Sequence, residues 1–265
     1  MSATGTMGNA LHTLVRDLHR RRGRERRGLA LVEGVRLVEE AVAAGLEFRA
    51  VLAAPALEAT ERGRALKAVL ERRPEFSVVP DAALEELAAT EQPQGVLAVV
   101  VPRRFELDDL GSGPGAVLLV LDAIQDPGNV GTIIRTALGL GGSGVIALPG
   151  TAELTNPKTL RAAMGAAFRL PVVAVAEAAA AEWLGRHRFV IAATAADGEP
   201  IDRAALPARL ALVLGNEGAG LTSGLGLGAP LRLAIPLAPG VESLNVAVAA
   251  GIILHGACRE RTRNG

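Results

Sequence analysis

Residues 116–121 read Ala-Val-Leu-Leu-Val-Leu, an apolar run with no polar position at either parity. A strand with one wetted face alternates, whereas a strand this uniform needs cover on both sides, the condition of the middle of a parallel sheet flanked by helices. The downstream pattern agrees. Apolar runs predict further strands at 145–148, 189–193, 210–214 and 231–235, and helical periodicity or capping signals predict helices at 129–140, 157–164, 177–186 and 242–257. Residues 116–260 are therefore expected to form one α/β domain.

Upstream, a smaller alternation predicts helices at 8–22, 35–44, 61–72 and 82–88, the last capped by Asp81, with strands at 29–32, 48–53, 76–79 and 96–101. This describes a small α/β unit over residues 8–101. Residues 102–115 turn polar and end Gly-Ser-Gly-Pro-Gly, so they read as a linker.

Composition narrows the function classes. Aromatic residues make up 2% and Tyr is absent, which removes the usual base-stacking platform of single-strand RNA modules. Lys and Arg balance Asp and Glu at 28 each, so no global field attracts a polyanion. The local distribution is different: Arg20, Arg21, Arg22, Arg24, Arg26 and Arg27 crowd one short segment, a pattern suited to neutralising RNA phosphates and equally to a solvated helix end. Cys258 is the single cysteine, and the four His residues lack metal-ligand spacing, so neither a disulfide framework nor a metal site is expected. No apolar signal core opens the chain, and Glu242 and prolines break the longest apolar stretch, at 231–257. A cytoplasmic protein with no membrane partner is expected.

Gly139-Leu-Gly-Gly-Ser-Gly144 matches the dinucleotide pattern GxGxxG, but its glycines follow a predicted helix and precede a strand. A Rossmann site needs the reverse order, with pyrophosphate at the start of the next helix, so the segment reads as a helix stop and turn. A nicotinamide-dependent oxidoreductase is disfavoured on that ground.

Three other segments place polar groups where open α/β sheets bind ligands, beyond the carboxyl ends of strands. In Asn129-Val-Gly-Thr-Ile-Ile-Arg135, the Asn129 amide suits a ribose hydroxyl and equally a helix cap, while Arg135 interrupts an apolar helix face. In Leu214-Gly-Asn-Glu-Gly-Ala-Gly220, Gly215, Gly218 and Gly220 let backbone approach a flat ligand and read an adenine edge; Glu217 adds a carboxylate that equally suits an Arg partner. In Ile235-Pro-Leu-Ala-Pro-Gly-Val-Glu-Ser-Leu-Asn245, Ser243 suits a helix cap. Asn245 is expected inside the apolar helix, where an unpaired amide costs about 1–3 kcal/mol. Thr194, just past the 189–193 strand, is placed to wall the same crevice.

In order, spacing and residue type these three segments resemble the motifs of the SpoU/TrmH branch of the SPOUT methyltransferases, over roughly residues 116–257. Leu31-Val-Glu-Gly-Val-Arg-Leu-Val-Glu-Glu40 and Pro93-Gln-Gly-Val-Leu-Ala98 resemble the substrate-binding domain attached to many SpoU enzymes. The resemblance implies methyl transfer from S-adenosylmethionine to a ribose 2′-hydroxyl in structured RNA, ribosomal RNA before transfer RNA, without a metal. The other class on this fold is a non-catalytic RNA-binding or assembly factor. The resemblance also implies a trefoil knot and a homodimer, with the 242–257 helix at the contact through Ala247, Val248, Ala249, Ala250, Gly251, Ile252 and Ile253. Gly215, Gly218, Ile235 and Leu244 are then expected at the cofactor, and Asn129, Arg135, Glu217, Ser243 and Asn245 in the catalytic pocket. A guanidinium keeps its proton at neutral pH and is a poor general base, so the role expected of Arg135 is to hold a phosphate and stabilise a developing alkoxide.

Overall fold

The structure, a computed structural model, describes residues 8–216 and 218–263, with side chains as far as Cys258. The chain divides into two units: residues up to Arg103 together with Thr155–Phe168, and Arg104–Leu154 together with Arg169 onward.

The first unit runs α1 (Asn9–Leu18), α2 (Arg21–Arg27), β1 (Ala30–Glu33), α3 (Val35–Ala43), β2 (Glu47–Ala53), α4 (Glu61–Leu70), β3 (Phe76–Val78), α5 (Asp81–Leu87) and β4 (Val96–Val101). Its sheet has the order β1-β4-β2-β3, with β4 antiparallel to both neighbours and β2 parallel to β3. Alternation assigns the two faces. Ala30, Val32, Val96 and Ala98 pack with Val38 and Leu66 on one side, and Leu31, Leu97 and Val99 pack with Val15, Leu18 and Leu84 on the other.

Two local expectations are corrected. The helix expected at 8–22 is two helices broken at His19-Arg20, because the Arg24 guanidinium bonds to the Leu18 and His19 carbonyls at 2.8 and 2.9 Å and so satisfies the end of α1. Asp81 does not cap α5. Pro80 occupies that position, and the Asp81 carboxylate instead accepts from the Ala56 amide at 2.9 Å, holding a 3₁₀ turn at Pro55–Ala59.

The second unit begins inside the expected linker, of which residues 107–115 are built into the fold. Leu107–Asp109 form a 3₁₀ turn with a capping box, Leu110 is buried, and Asp108 accepts from Trp183 Nε1 at 2.9 Å. Then come β5 (Val117–Leu121), α6 (Pro127–Gly139), β6 (Gly144–Ala147), α7 (Pro157–Ala163), β7 (Val172–Ala174), α8 (Glu177–Arg186), β8 (Val190–Pro200), β9 (Leu210–Leu214), α9 (Gly224–Leu227), β10 (Leu231–Ala234) and α10 (Val246–Arg263). Of these, α7 clusters with the first unit, where Leu160 and Phe168 join its core. The glycine run at 139–144 stops α6 and turns into β6, as its placement predicts.

The sheet of the second unit has the order β10-β8-β9-β5-β6-β7, and every pair is parallel. All five residues of β5 are buried, in agreement with its uniform apolarity. β8 runs longer than expected. Its pairing with β10 stops at Ala193 and resumes at Glu199, so residues 194–198 bulge out of the ladder. Gly198 allows the return, since a Cβ there would lie 2.7 Å from the backbone of Arg232 and Leu233.

Candidate active site

Four adjacent parallel strands, β10, β8, β9 and β5, end on the same edge of the sheet. Residues 235–245 leave β10, Thr194 follows the paired part of β8, residues 215–220 leave β9, and residues 122–129 leave β5. The first segment is far from the other two in the chain, and the strand order brings all three onto one edge of the sheet, at the crevice where open α/β sheets take ligands.

Hydrogen bonds fix these loops to one another. Asp122, buried to 2% exposure at the end of β5, accepts from the Thr222 amide, the Thr222 hydroxyl and the Ser223 amide, each at 2.7 Å. Burial pushes its pKa up, but the bonds from Ser223 and Thr222 outweigh that and hold it below the usual carboxylate value. Asn216 clamps the next loop. Its Nδ2 donates to the Ala123 carbonyl at 2.9 Å, and its Oδ1 accepts from the Gly218 and Ala219 amides at 2.9 and 3.0 Å. Ala123 has φ +54°, a left-handed conformation uncommon for a residue with a Cβ.

The glycines of this loop have separate uses. A Cβ on Gly215 would lie 2.6 Å from the Gly220 carbonyl carbon, so close packing of the loop on its own stem requires glycine there. Gly218 and Gly220 are exposed and have open space or only the Asn216 Oδ1 where a side chain would stand, leaving bare backbone toward solvent. Glu217 lies outside the described residues. The Thr194 hydroxyl donates to the Val213 carbonyl at 3.2 Å, so it walls the edge with its polar atom already engaged. Ile235 and Leu244 are half-buried in a segment without regular structure.

Helix starts differ from the expectation in a way that changes two residues' roles. α6 begins at Pro127, capped by Asp126, whose carboxylate accepts from the Asn129 amide at 2.9 Å. Asn129 therefore sits in the first turn and is not the cap. Ser243 is exposed and outside any helix; α10 begins at Val246, with Asn245 as its cap, accepting from the Ala247 amide at 2.9 Å. Asn245 is exposed, and the expectation of a buried amide is corrected. Its Nδ2 donates to Asn129 Oδ1 at 3.0 Å, joining the first and third motifs.

Arg135 stands apart from this pair. Six residues along an α-helix is a rotation of about 240°, and Arg135 is exposed without a hydrogen bond or ion pair to a described residue. The face of α6 carrying Asn129, Thr132 and Thr136 instead lines a groove of about 670 Å³ with Val248, Gly251 and Ile252 of α10. Ile253, expected on that surface, is 1% exposed and belongs to the core.

Of the arginines expected on RNA, Arg24 is corrected: it is 4% exposed and spent on the α1 carbonyls. Arg26 and Arg27 pair with Asp17 at 2.7 and 2.6 Å, and Arg21 pairs with Glu25 at 2.7 Å. The side chains of Arg20 and Arg22 are exposed without a partner among the described residues. No group of metal-ligating side chains is found among the described residues, and no described helix is long and apolar enough to cross a membrane.

The model of the SpoU rRNA methylase family matches residues 116–255, the span that carries all three motif loops. This chain belongs to that family. Residues 13–98 match the MRM3-like substrate binding domain. The chain is 33% identical over 241 residues to the 23S rRNA (guanosine(2553)-2′-O)-methyltransferase RlmP of Bacillus subtilis, covering 91% of this chain and 92% of that protein. It is 32% identical to the 23S rRNA (uridine(2479)-2′-O)-methyltransferase of Streptomyces viridochromogenes, over 92% of this chain and 87% of that protein. The crystal structure of the SpoU methyltransferase AviRb from Streptomyces viridochromogenes in complex with AdoMet superposes with a TM-score of 0.84 at 29% identity, covering 96% of this chain and 100% of that one. The second unit thus carries the parallel sheet of the knot-forming SPOUT type, and residues 13–98 of the first form a substrate-binding subdomain.

Asp122 and Asn216 were not among the residues singled out from sequence. A carboxylate directly after a fully apolar central strand, and an amide between two glycines, were the available signals. The bonds from Asn216 to Ala123 and from Thr222 to Asp122 span 93 and 100 residues, where local pattern does not reach.

Proposed function

We propose that this SpoU-family chain transfers a methyl group from S-adenosylmethionine to a ribose 2′-hydroxyl of 23S ribosomal RNA, acting in the cytoplasm as a homodimer. The observation that carries the reading is that the three motif loops leave the same edge of the sheet, at the ends of β10, β9 and β5, with Thr194 of β8 between the first two. Ribosomal RNA is favoured because similarity to the two 23S rRNA enzymes extends through the substrate-binding subdomain as well as the methyltransferase unit.

The residues present fit the cofactor. Gly218 and Gly220 offer a surface without side chains, held in shape by their bonds to Asn216, on which a flat adenine would pack, and Ile235 and Leu244 offer apolar walls. When bound, the cofactor supplies an electrophilic methyl on a sulfonium, so the protein's task is alignment and charge stabilisation. Asn245 caps α10 and donates to Asn129 Oδ1, which locks the first and third motifs together. The Arg135 side chain, exposed and without a partner among the described residues, holds the neighbouring phosphate and stabilises the developing alkoxide as the 2′-proton passes to solvent water. The dimer forms over the α6–α10 groove, where Val248 is 52% and Ile252 40% exposed, a degree of apolar exposure that a second copy would cover.

The test is methyl transfer from labelled S-adenosylmethionine to 23S rRNA, with the product nucleoside identified by mass spectrometry. A 2′-O-methylnucleoside is expected, and Arg135→Ala is expected to lower kcat about 10²- to 10³-fold with cofactor affinity unchanged. Methylation of a base, or cofactor binding with no transfer to ribosomal or transfer RNA, contradicts the reading. For Arg135→Lys, a rate that recovers as Lys deprotonates would establish base catalysis in place of charge stabilisation.

A further inference from the structure

The first unit holds a cleft of about 200 Å³, lined by Glu33, Arg36, Thr90, Gln92, Gln94 and Arg161 among others, to which no role has been given above. The six side chains come from three stretches: Glu33 and Arg36 from the end of β1 and the start of α3, Thr90, Gln92 and Gln94 from the loop before β4, and Arg161 from α7. The floor is rigid. Glu33, 6% exposed, accepts from the Ala89 amide at 2.8 Å, from the Thr90 amide at 3.2 Å and from the Thr90 hydroxyl. Gln94 Oε1 accepts from the Val35 amide at 2.9 Å, tying the loop to the start of α3.

The rim, in contrast, is left with donors. Arg36 and Gln92 are exposed and make no hydrogen bond or ion pair with a described residue. Arg161 lies over the floor with Nη1 3.9 Å from Glu33 Oε2, and that buried nitrogen has no hydrogen-bond partner. A buried donor left unmet is costly, so such a group usually marks a bond completed by something else. Two guanidinium groups against one carboxylate leave the cleft with a surplus positive charge.

We infer that this cleft receives one unpaired nucleotide of the RNA substrate, its phosphate held by Arg36 and Arg161 and its base edge read by Gln92 and Gln94. The inference rests on the RNA methyltransferase reading and adds the residues through which the first unit holds its substrate. The chemistry matches: guanidinium forks suit phosphate oxygens, and amide side chains with both donors and acceptors suit a base edge. A volume of about 200 Å³ admits a single base and excludes a duplex. With aromatic residues at 2% and no Tyr, RNA binding in this chain has to come from polar contacts, which this cleft concentrates.

The test uses the full chain, 23S rRNA as probe, and Arg36→Gln, Gln92→Ala and the double variant. Neither residue supports the fold, so the variants are expected to melt as wild type does. RNA affinity of the double variant is expected to fall about tenfold or more, with a shallower salt dependence and unchanged S-adenosylmethionine affinity. Arg36→Lys is expected to recover part of the loss. With 4-thiouridine-substituted RNA, crosslinks are expected within residues 33–37 or 90–94. Wild-type affinity in the double variant, or crosslinks confined to Arg20–Arg27, overturns the inference and leaves the methyltransferase reading standing. Wild-type protein that binds cofactor but no RNA sinks both.

Discussion

Asp122 offers the sharpest test of how the site is assembled. It is 2% exposed and receives three hydrogen bonds of 2.7 Å, two from backbone amides and one from a hydroxyl, all from Thr222 and Ser223. Replacing it with Ala removes three charge-assisted bonds and strands the amide of Ser223, itself 6% exposed. A buried donor left unmet costs about 1–3 kcal/mol, and hydrogen bonds to a charged group contribute about 1.5–3 kcal/mol each, with part recovered by water at exposed Thr222. The expected loss for Asp122→Ala is therefore about 2–4 kcal/mol, read by urea denaturation of the full chain. The pH dependence has a definite sign. The folded carboxyl titrates below its ordinary value of about 3.9, so its contribution is complete above that pH and is lost as pH falls through the lower folded value. Wild type should lose stability in that acid window and Asp122→Asn should lose less. Because the same bonds tie the end of β5 to the chain after the Gly215–Gly220 loop, cofactor affinity should fall as well. An Asp122→Ala protein within about 0.5 kcal/mol of wild type would refute the reasoning, since surface substitutions alone reach that range.

Three other outcomes follow from the geometry. Arg24→Ala should cost about 2–3 kcal/mol in denaturation because its guanidinium serves two α1 carbonyls, while Arg22→Ala should leave stability unchanged. Gly215→Ala drives a Cβ to 2.6 Å from the Gly220 carbonyl carbon and should abolish calorimetric binding of S-adenosylmethionine while the first unit keeps its fold. Val248→Asp on the exposed face of α10 should shift the chain to monomer in sedimentation at micromolar concentration, and an unchanged dimer would place the contact elsewhere.

Much of the fold was legible because burial on both faces leaves a plain record in sequence. Residues 117–121 had to be central, and the glycines at 139–144 had to stop a helix. The errors came where a side chain bonds outside its own segment. Arg24 reads as one more surface cation until α1 ends above it, and Asp81 reads as a cap until Ala56 takes its carboxylate. The start of α6 is legible in the sequence: Asp126-Pro127 is a cap followed by proline at the first helical position, a stronger signal than Asn129. Asn245 ahead of an apolar run was likewise a cap signal, which Ser243 obscured. That residues 155–168 join the first unit has no local signature, because the apolar faces of Leu160 and Phe168 suit either core.

The most direct test of the central claim is a ribose-methylation map of ribosomal RNA from cells with and without the gene for this chain. The account predicts one 2′-O-methyl mark in 23S rRNA that disappears with the gene and returns with the wild-type chain but not with Arg135→Ala. An unchanged map, or a lost mark that Arg135→Ala restores in full, contradicts it.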